Sequence, residues 1–482
     1  MSRLVVGPFN RVEGDLEVRL DIKGGAVERA EVVSPLFRGF EKMLVGKNPS
    51  DALVIAPRIC GICSVSQSVA AAEALAEAQG LVRAPNGQLV TNIVHAAENV
   101  ADHLTHFYMF FMPDFARPVY ADQTWHEDVV KRFAAMKGSA VQDMLPRRAE
   151  FLHIVGLLAG KWPHTLTLQP GGVTKVVGEH ELSRLAGLMR SFRRFLEGQV
   201  IGVELEAFAA LTRRDDLLAL VETQGPKHSD LFRFVQVSQA LGLNKMGRAT
   251  DRFLSFGAYR QQDTHLFARG LSIGIGHQAL NTGLIAEDVS HSWMEGPDAA
   301  LHPFDGVTLT DPDMADGYTW CKAPRLEGAP AEVGALSRQV VAGHPLALDL
   351  VADGGNIEAR ILARFLEMAL LVPAMERWLG EIRAADPFMA HGQTPMEGKG
   401  AGLVEAARGA LGHWLRIEDG KIANYQIIAP TTWNFSPRDG GGQAGPLEQA
   451  LVGAEVRAGE SDPVLVQHIV RSFDPCMVCT VH

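Results

Sequence analysis

The sequence predicts an α+β fold, predominantly α: a large helical core with a long helix bundle and peripheral β-hairpins, its N- and C-terminal segments meeting at a buried metal site. Three observations carry this. Long stretches have apolar residues at helical spacing, one short segment near the start alternates with period two, and two Cys-x-x-Cys pairs lie at opposite ends of the chain. A chain of 482 residues can bury a sizeable core without a staple, and 47% hydrophobic with 21% charged residues excludes a disordered protein. A net charge of −11 argues against nucleic acid or an anionic membrane surface as the main partner.

At the start, Leu16, Val18, Leu20 and Ile22 alternate with Asp15, Glu17, Arg19 and Asp21, and Gly24-Gly25 supplies a turn to a return strand over Val27–Val33. This gives a hairpin region over about 1–35. Ser50-Asp51 is a candidate helix cap, but Pro57 follows, so the stretch to Cys60 reads as part loop. A helix is expected from Thr91 or Asn92 as cap, with Ile93, Val94, Ala97, Val100, Leu104 and Phe107 on one face. Leu182, Leu185, Leu188, Met189, Phe192, Phe195 and Leu196 predict another, and Ile357–Arg383 a third, kinked at Pro373. The seven charged residues between Ile357 and Ile382 mark it as a core helix and not a membrane span, and no apolar run reaches the ~18–20 residues a span requires. Glu295–Gly317, Ala384–Gly402 and Ser436–Pro446 read as loops. With no internal repeat and no clean boundary, residues 1–482 are expected to form a single large domain. The N-terminus lacks a secretory h-region, so a cytoplasmic protein, not integral to a membrane, is the default.

Four of the five cysteines make the two pairs, Cys60-Gly61-Ile62-Cys63 and Cys476-Met477-Val478-Cys479. Two such pairs supply four thiolates, soft ligands that suit nickel, iron or zinc. A structural zinc tying the chain ends, a pair of redox disulfides and a catalytic metal are all compatible with the spacing. Ligands drawn from both ends of a large protein favour the last, because structural zinc pairs usually lie about 15–20 residues apart.

Arg58-Ile59-Cys60-Gly61-Ile62-Cys63 and Asp474-Pro475-Cys476-Met477-Val478-Cys479-Thr480-Val481-His482 resemble the two signature motifs of the nickel–iron hydrogenase large subunit. Arg11-Val12-Glu13-Gly14 resembles a further motif, with Asp15 in place of its histidine. Arg38-Gly39-Phe40-Glu41, Lys322-Ala323-Pro324-Arg325, Ala407–Trp414 and Pro430-Thr431-Thr432-Trp433-Asn434 match other family segments in order. The resemblance implies heterolytic cleavage of H2 at a nickel–iron centre, with carbon monoxide and cyanide ligands on the iron. Cys60 and Cys476 would bind nickel terminally, and Cys63 and Cys479 would bridge to the iron. It also implies that Arg408 stands over the open metal positions, paired with Asp102 and Asp474, while Thr431 receives a cyanide. Glu13 would be the first carboxylate of a proton path. Glu41 and His482 would hold Mg2+ with waters and a backbone carbonyl, that of Ile427. The family arginine normally follows a proline, here Ala407, which leaves its backbone less constrained. Cys321 reads as a small buried hydrophobe, and His106 and His164 as structural histidines.

Where most of the family has a histidine four residues after the second cysteine, this chain has Gln67, which can donate towards a sulfur but cannot titrate. With Ile62 and Phe110 at positions lining the gas route, this resembles the hydrogen-sensing, or regulatory, hydrogenases, as does an end at His482. The expectation is therefore a low-turnover sensor, with an energy-conserving uptake hydrogenase as the alternative and a zinc-tied scaffold as a distant one. A complex I subunit of the same fold lacks the four cysteines. One cysteine beyond the metal ligands cannot bind iron–sulfur clusters, so an iron–sulfur small subunit must carry electrons away. A signalling histidine kinase is the further partner implied by the sensor group.

Overall fold

Gly24 and Gly25 adopt φ of 63° and 81°, values that glycine reaches without a Cβ penalty, and so turn Glu17–Lys23 back onto Ala26–Val33 as the alternation predicts. The computed structural model describes residues 2–297 and 299–482. Val18 and Leu20 of the hairpin are fully buried. A strand that the sequence reading did not contain, Ser2–Val6, pairs with the outer side of Glu17–Lys23. The opposite edge is closed by the 453–456 segment, through Val27 N–H to the Ala454 carbonyl (2.9 Å) and Val456 N–H to the Gly25 carbonyl (2.8 Å). The N-terminal sheet is thus tied to the last thirty residues of the chain.

The helices form where the periodicity places them, but several start earlier. The helix expected from Thr91 spans Pro85–Thr105, with Pro85 in its first turn, where a missing N–H costs nothing. Thr91 and Asn92 are therefore not caps. They lie buried in the helix interior, Thr91 Oγ1 donating to the Gly87 carbonyl (2.7 Å) and Asn92 Nδ2 to the Arg260 carbonyl (2.9 Å). The helix widens into a π-helical turn over His106–Phe111. Glu179–Phe195 begins three residues before Leu182, its first turn closed by Glu181 accepting the Gly178 N–H (3.0 Å). Ile357–Glu381 is capped by Asn356 Oδ1 and continues through Pro373. Between Asn48 and Cys60 the chain makes short helical turns, capped by Asn48 Oδ1 on Ser50 N–H (3.0 Å) and not by Ser50 or Asp51. Among the described residues no helix is long and apolar enough to cross a membrane.

A second three-stranded sheet, Gly398–Ala406, Gly409–Glu418 and Lys421–Ile428, begins inside the expected 384–402 loop and is largely buried. The helix Ser64–Ala78 lies directly on its first strand. A Cβ at Gly400 would sit 2.1 Å from the Ala74 carbonyl oxygen, and one at Gly402 only 1.8 Å from that of Ala70. The two-residue step on the strand matches the four-residue step on the helix. This backbone-to-backbone contact fixes the helix that begins at Cys63 relative to the strand turn that carries Arg408.

Candidate metal centre

Cys60 follows a short helical turn in extended conformation, and Cys63 caps the helix Ser64–Ala78. Cys476 plays the same capping part for the turn Met477–Thr480. All four sulfurs lie within 4.8 Å of one another and are buried. Cys60–Cys476, Cys63–Cys479 and Cys476–Cys479 Sγ separations are 3.5, 3.1 and 3.2 Å. Such spacings allow one metal to reach all four at metal–sulfur distances of about 2.3 Å. Four ionised sulfurs this close repel, and the proton affinities split accordingly. The thiol contacts from Cys476, Cys479 and Cys63 pull Cys60 well below the usual range, while Cys63 and Cys479 are pushed well above it. A bound cation removes that conflict, so the donor set fits a thiophilic metal.

Arg408 occupies a two-residue turn between strands, closed by the Ala406–Gly409 pair. Gly409 has φ of 126°, and a Cβ there would stand 2.5 Å from the Gly334 nitrogen, so the turn is fixed despite the absence of the family proline. The guanidinium donates to Asp102 Oδ2 (2.5 Å) and Oδ1 (3.3 Å), to Asp474 Oδ1 (3.0 Å) and, from Nε, to the Asp474 carbonyl (2.8 Å). Four of its five N–H groups are thereby committed. Burial pushes Asp102 up to about 7 despite Arg408, and the charge of Asp474 adds to the push. For Asp474 burial is outweighed by Arg408, His106 and Arg364, so it stays ionised below the usual range. Thr431 Oγ1 accepts the Cys476 N–H (3.1 Å), which leaves its own hydroxyl hydrogen to donate elsewhere.

The Glu13 segment runs beside the second cysteine loop, its carbonyl accepting Met477 N–H (2.7 Å). Gly14, at φ of 83°, allows this approach, since a Cβ would meet Met477 and Val478 at 3.1 Å. The Glu13 carboxyl is half-buried. Its proton affinity is raised by burial and by the Cys60 sulfur, against the pull of Arg408.

Gln67 lies one helical turn after Cys63 on the same face. Its Oε1 is 2.7 Å from His413 Nε2, and His413 Nδ1 is 2.7 Å from the Tyr425 hydroxyl. Burial pushes His413 down to about 3, so it is neutral. Nε2–H then donates to Gln67, Nδ1 accepts from Tyr425, and the buried Gln67 Nε2 is left without a protein partner. In the sequence His413 shows only as part of a motif, because its partners Gln67 and Tyr425 lie 346 and 12 residues away. Glu98 lies outside every motif. That carboxylate accepts Val65 N–H (2.8 Å), Ser66 N–H (2.9 Å) and Trp162 Nε1–H (2.9 Å), pinning the start of the helix after Cys63.

Glu41 and His482 meet, Nε2 to Oε1 at 3.3 Å. Ile427 N–H donates to Glu41 Oε1 (2.8 Å), which places the residue whose carbonyl is expected at this site beside Glu41 and His482. Thr308 donates to Glu41, and Lys322 Nζ lies 3.2 Å from it. Burial works against ionisation of Glu41 but is outweighed by Lys322, His482 and Thr308, which hold it down at about 2. Glu287 is buried beside them, 3.6 Å from Lys322, with neither carboxylate oxygen hydrogen-bonded. Two buried carboxylates, one of them unsatisfied, fit a hard divalent cation such as Mg2+. Ile62 and Phe110 are both half-buried. Cys321 is fully buried, its thiol directed at the Lys322 carbonyl (3.2 Å), as a bystander should be. His106 Nε2 and His164 Nδ1 contact the carbonyls of Arg471 (2.7 Å) and Pro57 (3.0 Å).

The comparisons with known proteins agree with this geometry. Residues 38–142 and 139–482 match the family model for nickel-dependent hydrogenases. The chain is 30% identical to the periplasmic [NiFeSe] hydrogenase large subunit of Desulfomicrobium baculatum, with 100% of this chain and 95% of that protein covered. It is 28% identical to the uptake hydrogenase large subunit of Afipia carboxidovorans at the same coverage. The structure of H2-activated Dm. baculatum [NiFeSe]-hydrogenase superposes with a TM-score of 0.85 at 28% identity, covering 100% of both chains. The reduced enzyme from D. vulgaris Hildenborough gives 0.84 over 100% of each. A family match across nearly the whole chain, with the four thiolates gathered where that family's chemistry needs them, makes this chain a large subunit of the nickel-dependent hydrogenase family.

Proposed function

We propose that this subunit oxidises H2 as an uptake-type hydrogenase, H2 → 2H+ + 2e−, and passes the electrons to an iron–sulfur small subunit. The observation that carries the chemistry is the four-thiolate cluster beside a guanidinium locked between two carboxylates. The uptake reading rests on the relatives, whose names are those of [NiFeSe], uptake and hydrogenase-1 and -2 large subunits, and it displaces sensing as the main expectation. Cys60, Cys63, Cys476 and Cys479 would hold nickel and iron, which supply the Lewis acidity and two-electron capacity for heterolytic cleavage. The free N–H of Arg408 Nη1 and the Thr431 hydroxyl are suited to receive cyanide ligands on the iron, and Glu41 with His482 and Glu287 to hold Mg2+. Arg408, fixed in position and charge, stabilises developing negative charge without giving up a proton. Asp102 and Asp474 keep it in place. Glu13, with its raised proton affinity beside the cysteines, can take a proton from a sulfur and release it outward. Residues 1–482 act in this as one domain.

A second reading, a hydrogen sensor, is favoured by Gln67, whose amide cannot relay protons as a histidine would. Ile62 and Phe110 as barriers to O2 and a histidine kinase partner belong to that reading alone, whereas a cytoplasmic location, read from the N-terminal residues, is compatible with both. Metal analysis and infrared spectroscopy of the purified complex test the shared chemistry: zinc without nickel and no carbonyl or cyanide bands would end it. Turnover of the wild type against Gln67→His separates the two. Fast wild-type turnover, unchanged in the variant, supports uptake; slow turnover raised by Gln67→His supports sensing.

A further inference from the structure

Arg38 touches both cysteine loops. Its Nη2 donates to the Ile59 carbonyl (2.6 Å) and, through its second hydrogen, to the Val478 carbonyl. These carbonyls directly precede Cys60 and Cys479, one ligand from each pair, 419 residues apart by number. A single nitrogen therefore orients the two peptide planes that lead into opposite members of the cluster. The guanidinium is itself held over the buried Phe40 ring, 4.9 Å from the centroid. Gly39, at φ of 75°, turns the chain between Arg38 and the short helix Phe40–Leu44, whose Glu41 meets His482. Four consecutive residues thus grip the 476–482 segment at two points, one at Val478 and one at its last residue.

We propose that Arg38 is a positioning residue that sets the register of the two thiolate pairs against each other, and so determines how firmly the centre retains its nickel. The inference rests on the nickel-centre reading above. Two charge-assisted hydrogen bonds from one fixed donor hold the loops at the separation that the sulfurs facing each other across them show, 3.5 Å for Cys60–Cys476 and 3.1 Å for Cys63–Cys479. Without them the C-terminal loop keeps its contacts to Glu13 and Thr431 but loses its direct tie to the Cys60 loop.

The test uses the whole purified complex and follows nickel transfer to EDTA, with the infrared bands of the centre as a second readout. Arg38→Met keeps the packing over Phe40 but no donor, and nickel is expected to leave at least about tenfold faster, one charged hydrogen bond's worth. Arg38→Lys keeps a cation with N–H donors and is expected to fall between Arg38→Met and wild type. Wild-type retention in Arg38→Met overturns the proposal. So does equal loss in Arg38→Lys and Arg38→Met, because a retained cationic donor would then recover nothing. Should Arg38→Met fail to assemble, Arg38→Gln, whose amide falls short of both carbonyls, reads the same loss, and wild-type retention in it is equally fatal. A wild-type complex that holds no nickel defeats the nickel-centre reading, whereas nickel held equally by wild type and variants defeats the clasp alone.

Discussion

Replacing Arg408 by methionine removes a charge that two buried carboxylates share. Asp102 and Asp474 are each about 2% exposed, and between them they lose every hydrogen bond that Arg408 supplies. Breaking a buried pair from one side costs ~3–5 kcal/mol. Unfolding entropy of about 2.1 cal/mol/K per residue amounts to roughly 1 kcal/mol/K for a chain of this length, so the melting temperature should fall by about 3–5 °C. The pH dependence carries the sharper signature. Asp102 already binds its proton with an affinity near 7, raised by burial, and losing the guanidinium raises it and Asp474 further. A carboxyl whose folded value is above its unfolded value gains stability as pH falls through the folded value towards the unfolded one, near 4. The deficit of Arg408→Met should therefore shrink between pH 8 and about 5.5. H2 oxidation should fall by about 10²–10³, the usual cost of one lost electrostatic donor. The assay is calorimetry of the complex across pH, beside H2-dependent dye reduction. A deficit that stays constant or widens on acidification would refute the assignment of two carboxylates to one guanidinium.

The remaining predictions concern the supports of the same centre. Gln67→Leu strands the N–H of His413, which should cost ~1–3 kcal/mol, and it removes the unpartnered amide, so the infrared bands of the centre should move. Unmoved bands would show that the amide donates to nothing at the cluster. Gly402→Ala drives a Cβ into the Ala70 carbonyl and should destabilise by about 3 kcal/mol or more, because neither backbone can yield cheaply. Gly156→Ala, in the helix Ser139–Ala159 with nothing within 4 Å of its Cβ, should instead stabilise by up to about 1 kcal/mol. Thermal melts of the two against wild type check both signs. Ile62→Val with Phe110→Leu should make activity more sensitive to oxygen if those side chains narrow the gas route, and equal inactivation rates under O2 would remove them from it.

The sequence by itself determined which chemistry is possible. Two Cys-x-x-Cys pairs are local patterns, and each places its two thiolates through its own turn, so they are visible without the fold. The helical periodicities are local too, and all three long helices formed where they were read. The helix at Ile357 begins where it was read, whereas the other two start earlier, at Pro85 and Glu179. Thr91 and Asn92 resemble caps in type, as Asp51 does in the short turns before Cys60, but Pro85 and Asn48 hold those starts. What only the tertiary structure decided is what each polar side chain faces. Gln67 could be read as a departure from a motif, but not as the end of a chain through His413 to Tyr425. Arg38 was visible as part of a motif, but not as a donor to the loops of both cysteine pairs, and Glu98 carried no signal at all, since a glutamate in isolation is most often solvated. Glu41 is visible in its motif, but its contacts to Lys322, Thr308 and the Ile427 N–H join segments remote in sequence and exist only through packing. The physical reason is the same in each case. A ligand's identity is a property of a few adjacent residues, whereas its orientation and charge are set by donors and acceptors that only packing brings within 3 Å.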